Sequence, residues 1–182
     1  MVRKLKYHEQ KLLKKVDFIT WKVDNGGKET SIIRRYHLRK PSDYTKYNKL
    51  SREVRTLCEK IANLENTDPF KQEAAVMLLE KLYTMGLIRS KNDLEAAGNV
   101  SASSFCRRRL PVVMVKYKLS QNLKNATDLI EQGHVRVGPD MITDPAFLVT
   151  RNLEDFVTWV DSSKIKQHVM EYNDQRDDFA LA

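Results

Sequence analysis

Arg107, Arg108, Arg109, Lys116, Lys118 and Lys124 crowd one short stretch of the chain, and Gly133-His134-Val135-Arg136-Val137 follows close behind. The chemistry such side chains do together is anion recognition. A guanidinium presents a planar fork of donors that fits two phosphate oxygens, and an ammonium adds a point charge. Ser120, Asn122, Asn125 and His134 lie in the same stretch and can add neutral hydrogen bonds. A row of arginines on a helix is also, more blandly, a solvated face. What separates the two readings is the order of the elements that would carry the charges.

Leu110, Val113, Met114, Tyr117 and Leu119 recur close to one helical face. Ser120 reads as the cap of a second helix whose apolar positions are Leu123, Ala126, Leu129 and Ile130, and Gly133 reads as its left-handed stop. Ser101 is a plausible cap for the basic helix before it, and Val135 and Val137 alternate with His134 and Arg136 as in a half-buried strand. An open helix N-terminus already favours phosphate, so cations gathered at the mouth of the second helix extend an existing anion site. Two helices followed by a small twisted sheet, with charge at one helix start, make a surface that RNA phosphates can track.

The pattern of Arg-Leu, a helix, Ser120 two residues before an apolar-Ala-apolar helix, then Gly-His-Val-Arg-Val resembles the RNA-binding domain named from the fourth protein of the small ribosomal subunit. The resemblance spans about residues 107 to 168 and continues through Pro145-Ala146-Phe147-Leu148-Val149 and Asp155-Phe156-Val157, which match later strands. From Met1-Val2-Arg3-Lys4-Leu5-Lys6-Tyr7-His8 onward the whole chain is similar to the Imp-three family of the U3 small nucleolar ribonucleoprotein. That resemblance implies binding of U3 small nucleolar RNA and pre-ribosomal RNA, help in pairing the two, and a nucleolar location. It also implies a complex with M-phase phosphoprotein ten and a Brix-domain protein, with no cofactor. A structural small-subunit ribosomal protein and a pure protein adaptor are the competing readings.

Carried onto this chain, the RNA contacts expected are Arg107, Arg108, Arg109, Lys116, Lys118, Ser120, Asn122, Lys124, Asn125, His134 and Arg136. Three departures from the domain pattern bear on it. Gly138-Pro139-Asp140 stands where Asn-Gly is common, which leaves the hairpin turn type open. Gln121 and Asn122 replace an arginine after the serine, and Pro111 replaces an aspartate, marking a helix start or a kink.

The charge is uneven. Residues 1–60 hold 17 Lys and Arg against 7 Asp and Glu, residues 61–100 hold 4 against 6, residues 101–151 hold 8 against 4, and residues 152–182 hold 3 against 7. The net +8 therefore comes from the first third, which reads as a basic arm laid along RNA or a partner, with Gly26-Gly27 as a hinge or hairpin turn. A merely solubilising arm is the plainer alternative. Arg34, Arg35, Tyr36, Arg39 and Lys40 are its candidate contacts. Tyr36, Tyr44 and Tyr47 sit among cations as base-stacking candidates, where one ring contributes about 1–3 kcal/mol, whereas Phe18 and Trp21 read as anchors in an apolar groove.

Leu50, Val54, Leu57, Ile61 and Leu64 predict an apolar seam on a helix over Tyr44–Asn63. Asp68-Pro69 opens a partner helix whose core face is Phe70, Ala74, Met77, Leu78 and Met85 and whose stop is Gly86, so the two form a hairpin. A short helix near Asp93–Ala97 and a last one over Lys164–Tyr172 complete the reading, and Asn173–Ala182 reads as acidic and mobile. The fold class is α+β and mainly helical: a basic arm over 1–43, a helical region over 44–100, a two-helix plus small twisted sheet RNA-binding domain over 101–168, and an acidic tail over 169–182.

Catalysis is not expected. No glycine-rich phosphate loop, nucleophile elbow or His-Glu-x-x-His occurs, and His8, His37, His134 and His168 lack ligand spacing. Enzymes that carry this RNA-binding domain, the pseudouridine synthases and an aminoacyl-tRNA synthetase, need a separate catalytic domain for which 182 residues leave no room. Cys58 and Cys106 stand apart without a neighbouring ligand pair, as reduced thiols do, so no metal is expected. Lysines at 4, 6, 11, 14 and 15 interrupt any secretory signal.

Overall fold

The computed structural model describes residues 3–15 and 21–175. In chain order it has helices α1 (Tyr7–Lys15), α2 (Trp21–Arg35), α3 (Pro41–Ala62), α4 (Pro69–Thr84), α5 (Leu94–Gly98), α6 (Ala102–Cys106), α7 (Leu110–Lys116) and α8 (Leu123–Glu131). Strands β1 (Val135–Val137) and β2 (Asp140–Met141), a 3-10 turn over Arg151–Phe156, strand β3 (Val157–Trp159) and helix α9 (Lys164–Tyr172) follow. The mainly helical α+β class is as the sequence predicts.

Local chemistry sets the ends of these elements. The carboxylate of Asp68 accepts from the Phe70 amide with Pro69 in the first helical position, Asp93 accepts from the amides of Glu95 and Ala96, and Ser163 accepts from that of Ile165. At the C-terminus of α8 the Gly133 amide donates to Ile130 and the His134 amide to Leu129, the paired bonds of a Schellman cap, with Gly133 at φ +77°. The same cap closes α4, where Gly86 has φ +75°.

The chain builds two cores. One gathers Tyr36, Leu38, Tyr47, Cys58, Leu79, Leu82, Ile88, Val100, Phe105 and Cys106 from α3 through α6 and the end of α2. The other gathers Leu110, Val113, Met114, Ala126, Ile130, Val135, Val137, Val149 and Val157 from α7, α8, the sheet and the segment before the 3-10 turn. The sheet is antiparallel in the order β2-β1-β3, with Val137 opposite Asp140 on one side and Val157 on the other. Val135 and Val137 are buried, as their alternation predicts. Gly138-Pro139 is a two-residue hairpin loop, and φ +63° at Gly138 meets the positive-φ demand of its first position.

Several expectations are corrected. The basic arm is not extended where it is described: α1 and α2 occupy it, and Gly26-Gly27 lies inside α2 rather than at a hinge or turn. Each glycine costs a helix about 1 kcal/mol; the apolar end of α2 offsets it, because Ile32 and Ile33 pack on the first core. Tyr36 and Tyr47 are buried, the latter stacked on Phe105 with ring centroids 5.8 Å apart, so neither ring can take a base. Tyr44 is half-buried. Phe18 lies outside the described residues, as does the side chain of Trp21.

The seam of α3 is rotated from its predicted position. Tyr47, Ser51, Cys58 and Ile61 face inward, leaving Leu50 and Leu57 exposed, and on α4 Leu79 and Leu82 are buried while Phe70 and Met77 are open. Short α5 and α6 pack on α3 and pull its inner face toward Ser51, whose hydroxyl donates to the Val100 carbonyl at 3.0 Å. Pro145–Val149 forms no strand; Leu148 makes one bridge to Arg109, and residues 151–156 turn as a 3-10 helix before β3. The tail beyond 175 lies outside the described residues.

Two substitutions test these supports. Gly133→Val combines a disfavoured φ with a Cβ 3.3 Å from the Met141 sulfur, and is expected to lower stability by more than about 1 kcal/mol in thermal melts. Asp43→Ala strands the buried Arg109 charge, and a loss of about 3–5 kcal/mol is expected by urea denaturation.

Candidate nucleic-acid interface

The three consecutive arginines do not share a helical face. The chain breaks between α6 and α7, with Arg109 as the extended N-cap of α7 and Pro111 in its first turn, so the expected basic helix is two short helices. Ser101 caps α6 and donates its amide to Ser104 Oγ. Arg107 points to solvent and donates to Ser104 Oγ at 3.2 Å. Arg108 folds back to donate to the Val149 carbonyl at 2.7 and 2.9 Å and pairs with Glu154 at 2.9 Å.

Arg109 is 3% exposed and pairs with Asp43 at 3.0 Å while donating to the Tyr47 hydroxyl at 3.2 Å. It is a structural residue, because a charge this deep cannot reach a phosphate without leaving Asp43 unpaired. Arg108 is likewise held by protein acceptors. Of the expected arginine row, Arg107 alone stands open.

Glu154 organises the next group. It accepts from Lys116 at 2.5 Å as well as from Arg108, and Tyr117 also bonds to it. Burial pushes its carboxyl upward, but the bonds from Lys116, Arg108 and Tyr117 outweigh that and hold it at about 2. Lys116 is therefore partnered, although its side chain stays largely exposed.

The mouth of α8 is different. Asn122, not Ser120, is the N-cap, and no side chain caps it among the described residues. The Ser120 hydroxyl instead donates to the Asn122 carbonyl at 3.1 Å. The first intrahelical bond is from Ala126 to Asn122, so the amides of Leu123, Lys124 and Asn125 have no helical acceptor. Asn122, Lys124 and Asn125 are exposed around them. Lys118 is exposed too, at φ +61°, in the position that ends α7 with a Schellman cap. A lysine there costs backbone strain that a glycine would not.

On the sheet, His134 and Arg136 are turned to protein. His134 Nδ1 meets Ser163 Oγ at 3.0 Å, and Arg136 donates to Thr158 and pairs with Asp161 at 2.8 Å, an acid shared with Lys166. These bonds dock α9 on the sheet, so both residues do more structural work than their place on an outward strand face suggested. In the arm, Arg39 pairs with Asp128 and Glu131 of α8, Tyr36 is core, and Arg34, Arg35 and Lys40 remain exposed.

Neither thiol is set up for chemistry. Burial pushes Cys106 up to about 11 and raises Cys58 as well, so both stay protonated at neutral pH. Among the described residues no cluster of His, Cys, Asp and Glu could hold a metal ion, and no helix is long and apolar enough to cross a membrane.

Residues 4–105 match the ribosomal protein S4/S9 N-terminal domain and residues 108–155 match the S4 domain. The boundary between the two falls in the arginine row, where the two cores meet. The chain is 59% identical to the U3 small nucleolar ribonucleoprotein protein IMP3 of Mus musculus over 100% of its length and 99% of that protein, and 52% identical to that of Saccharomyces cerevisiae over 98% of each. The chain belongs to the IMP3 family. Its wider kinship is with uS4, as in the 28% identity to the small ribosomal subunit protein uS4 of Sulfurisphaera tokodaii over 81% of this chain and 83% of that one. Such a member of the IMP3 family thus keeps the S4 domain on its second core and the S4/S9 N-terminal domain on its first.

The Glu154 cluster gives a pH signature. A carboxyl held at about 2 rather than 4.5 stabilises the fold fully above pH 4.5, and that contribution is lost as pH falls toward 2. The melting temperature of Glu154→Gln is expected to lie below that of the parent at neutral pH and to converge with it under acid. A gap independent of pH would remove the charge argument.

Proposed function

We propose that this protein is a non-catalytic RNA-binding component of a U3 small nucleolar ribonucleoprotein, acting in small-subunit ribosome biogenesis in the nucleolus. The observation that carries this reading is the uncapped mouth of α8, flanked by Lys118 and Lys124, in a domain of the S4 type. Free helix amides, a positive dipole end and two ammonium groups with no ion-pair partner among the described residues make a phosphate site in physical terms. Membership of the IMP3 family supports U3 as the RNA, since its relatives carry U3 in their names.

Within that role the protein assists pairing of U3 with pre-ribosomal RNA. Cations reduce repulsion between strands, and tighter binding to an open or hybrid form shifts the pairing equilibrium by the difference in affinity. M-phase phosphoprotein ten and a Brix-domain protein are its protein partners in the complex. The arm, helical region, RNA-binding domain and tail expected to divide at residues 43, 100 and 168 divide instead near 40, 100 and 172, because cuts at 43 and 168 would fall within α3 and α9. Asn122 and Asn125 orient RNA beside the two lysines, with Arg34, Arg35 and Lys40 as outlying contacts.

A fluorescence annealing assay with short U3 and pre-ribosomal RNA strands tests the reading. The protein is expected to accelerate pairing without ATP, and less so as salt rises. Lys118→Gly with Lys124→Ala should reduce the acceleration while leaving thermal stability intact, because glycine also relieves the backbone at residue 118. No acceleration over buffer at low salt would leave a static scaffold for U3.

A further inference from the structure

Of all the serines and threonines in the chain, Ser42 alone has an arginine three residues before it, Arg39, and Lys40 follows that arginine. Cations at these two places are what a serine kinase with an acidic substrate groove binds, by charge complementarity. Ser42 is exposed in the first turn of α3, directly after a non-helical stretch over 38–40. Its hydroxyl makes no hydrogen bond among the described residues. Those of Thr45, Thr56 and Thr84, exposed on the same helices, are each tied to a carbonyl one turn back.

The surroundings fit the group that such a kinase adds. Ser42 lines a cleft of about 340 Å³ between the start of α3, the end of α8 and the loop Asp144–Ala146, with Arg39, Lys40 and Lys46 beside it. Three carboxylates line the cleft too, and each is already engaged: Asp43 by Arg109, Glu131 by Arg39, and Asp144 by the Ala146 amide. Lys40 and Lys46 are exposed without an ion-pair partner among the described residues. Lys46 lies one turn beyond Ser42 on the same face of α3, where an ammonium meets a charge on residue 42. Arg39 is held by surface pairs to Asp128 and Glu131, which contribute little and yield to a dianion beside them.

We propose that Ser42 is a phosphorylation site for an ATP-dependent serine kinase that recognises basic sequences, and that the phosphate seats in this cleft on Lys46, Lys40 and Arg39. The bond from Ser42 Oγ to the γ-phosphorus forms as that from the γ-phosphorus to the bridging oxygen of ATP breaks. ADP leaves with the electron pair, and the hydroxyl proton passes to the kinase's catalytic base. The product carries a charge of about −1.5 to −2 at neutral pH. Once seated, it draws Arg39 from α8 to α3 and cuts the surface link between the two cores, leaving the buried Asp43–Arg109 pair to hold them. Modification thereby sets how firmly α8 is tied to the helical region.

The test treats the folded full-length protein with the catalytic subunit of cyclic-AMP-dependent protein kinase, magnesium and ATP, and maps the product by mass spectrometry. Near-stoichiometric phosphate at Ser42 is expected. The rate should fall by about tenfold or more in Arg39→Ala, as when one partner of a docked charge pair is removed, and Ser42→Ala should take none at this position. Phosphorus-31 NMR then reads the seat. A phosphoserine in water has a second pKa of about 6; in the phosphorylated protein it is expected below that value, and to move back toward it in Lys46→Ala. Thermal melts confirm that each variant folds. Absence of phosphate at Ser42 overturns the proposal: a peptide of residues 36–48 that is modified shows that the fold hides the site, and one that is not shows that Arg39 and Lys40 do not suffice for recognition. A phosphate whose pKa stays at the value in water, unmoved by Lys46→Ala and Lys40→Ala, lies in solvent and overturns the seat.

Discussion

The ion pair between Arg109 and Asp43 is the constraint on which the rest of the molecule depends. Removing both charges from water costs several kcal/mol per ion, and the pair persists only because its geometry is close and its remaining hydrogen bonds are met. Tyr47 meets them: its hydroxyl accepts from Arg109 and contacts the Ala146 carbonyl, and its ring lies beneath the guanidinium. Asp43 and Tyr47 come from α3, Arg109 caps α7, and Ala146 belongs to the segment that bridges to Arg109. One buried charge thereby fixes the first core to the second. Arg39, bridging to Asp128 and Glu131 of α8, repeats the connection at the surface.

Once Arg109 is turned inward, its neighbours have no choice of side. The chain breaks at Pro111 to bring the arginine in, which sends Arg108 toward Val149 and Glu154 and leaves Arg107 in solvent. A continuous helix would have placed the three about 100° apart on one rod. The turn after α4 packs against what this break displaces, with the Arg108 guanidinium lying against Gly86.

Local rules made much of this legible in advance. The cap at Asp68, the stops at Gly86 and Gly133, and the alternation of Val135 and Val137 all depend on neighbours within a few residues, and each is found where the sequence indicates. What was not legible depends on distant partners. Nothing near Arg109 says that Asp43, sixty-six residues earlier, will claim it, and nothing near Arg108 announces Glu154. The seam of α3 fails for the same reason: apolar spacing chose Leu50 and Leu57, but the packing of α5 and α6 selected Ser51 and Cys58. Charge density picks out one stretch of the chain but misjudges which of its cations face outward, since a count cannot distinguish a paired cation from a free one.

That distinction also bears on how the protein engages RNA. Arg39, Arg108, Arg109, Lys116 and Arg136 all have acidic partners, and a cation already paired releases fewer counterions on meeting a phosphate. On the proposed reading, the electrostatic work falls to cations without an ion-pair partner among the described residues, such as Lys118 and Lys124 at the mouth of α8 and Arg107 at the end of α6. Because the Asp43–Arg109 pair fixes the two cores to one another, the cations they carry are held at a set spacing. Contact at one then raises the effective concentration of RNA at the other, provided the strand can span them. A rigid pair of weak phosphate sites favours whichever RNA conformation matches its spacing, and in the proposed role that differential affinity is what shifts a pairing equilibrium.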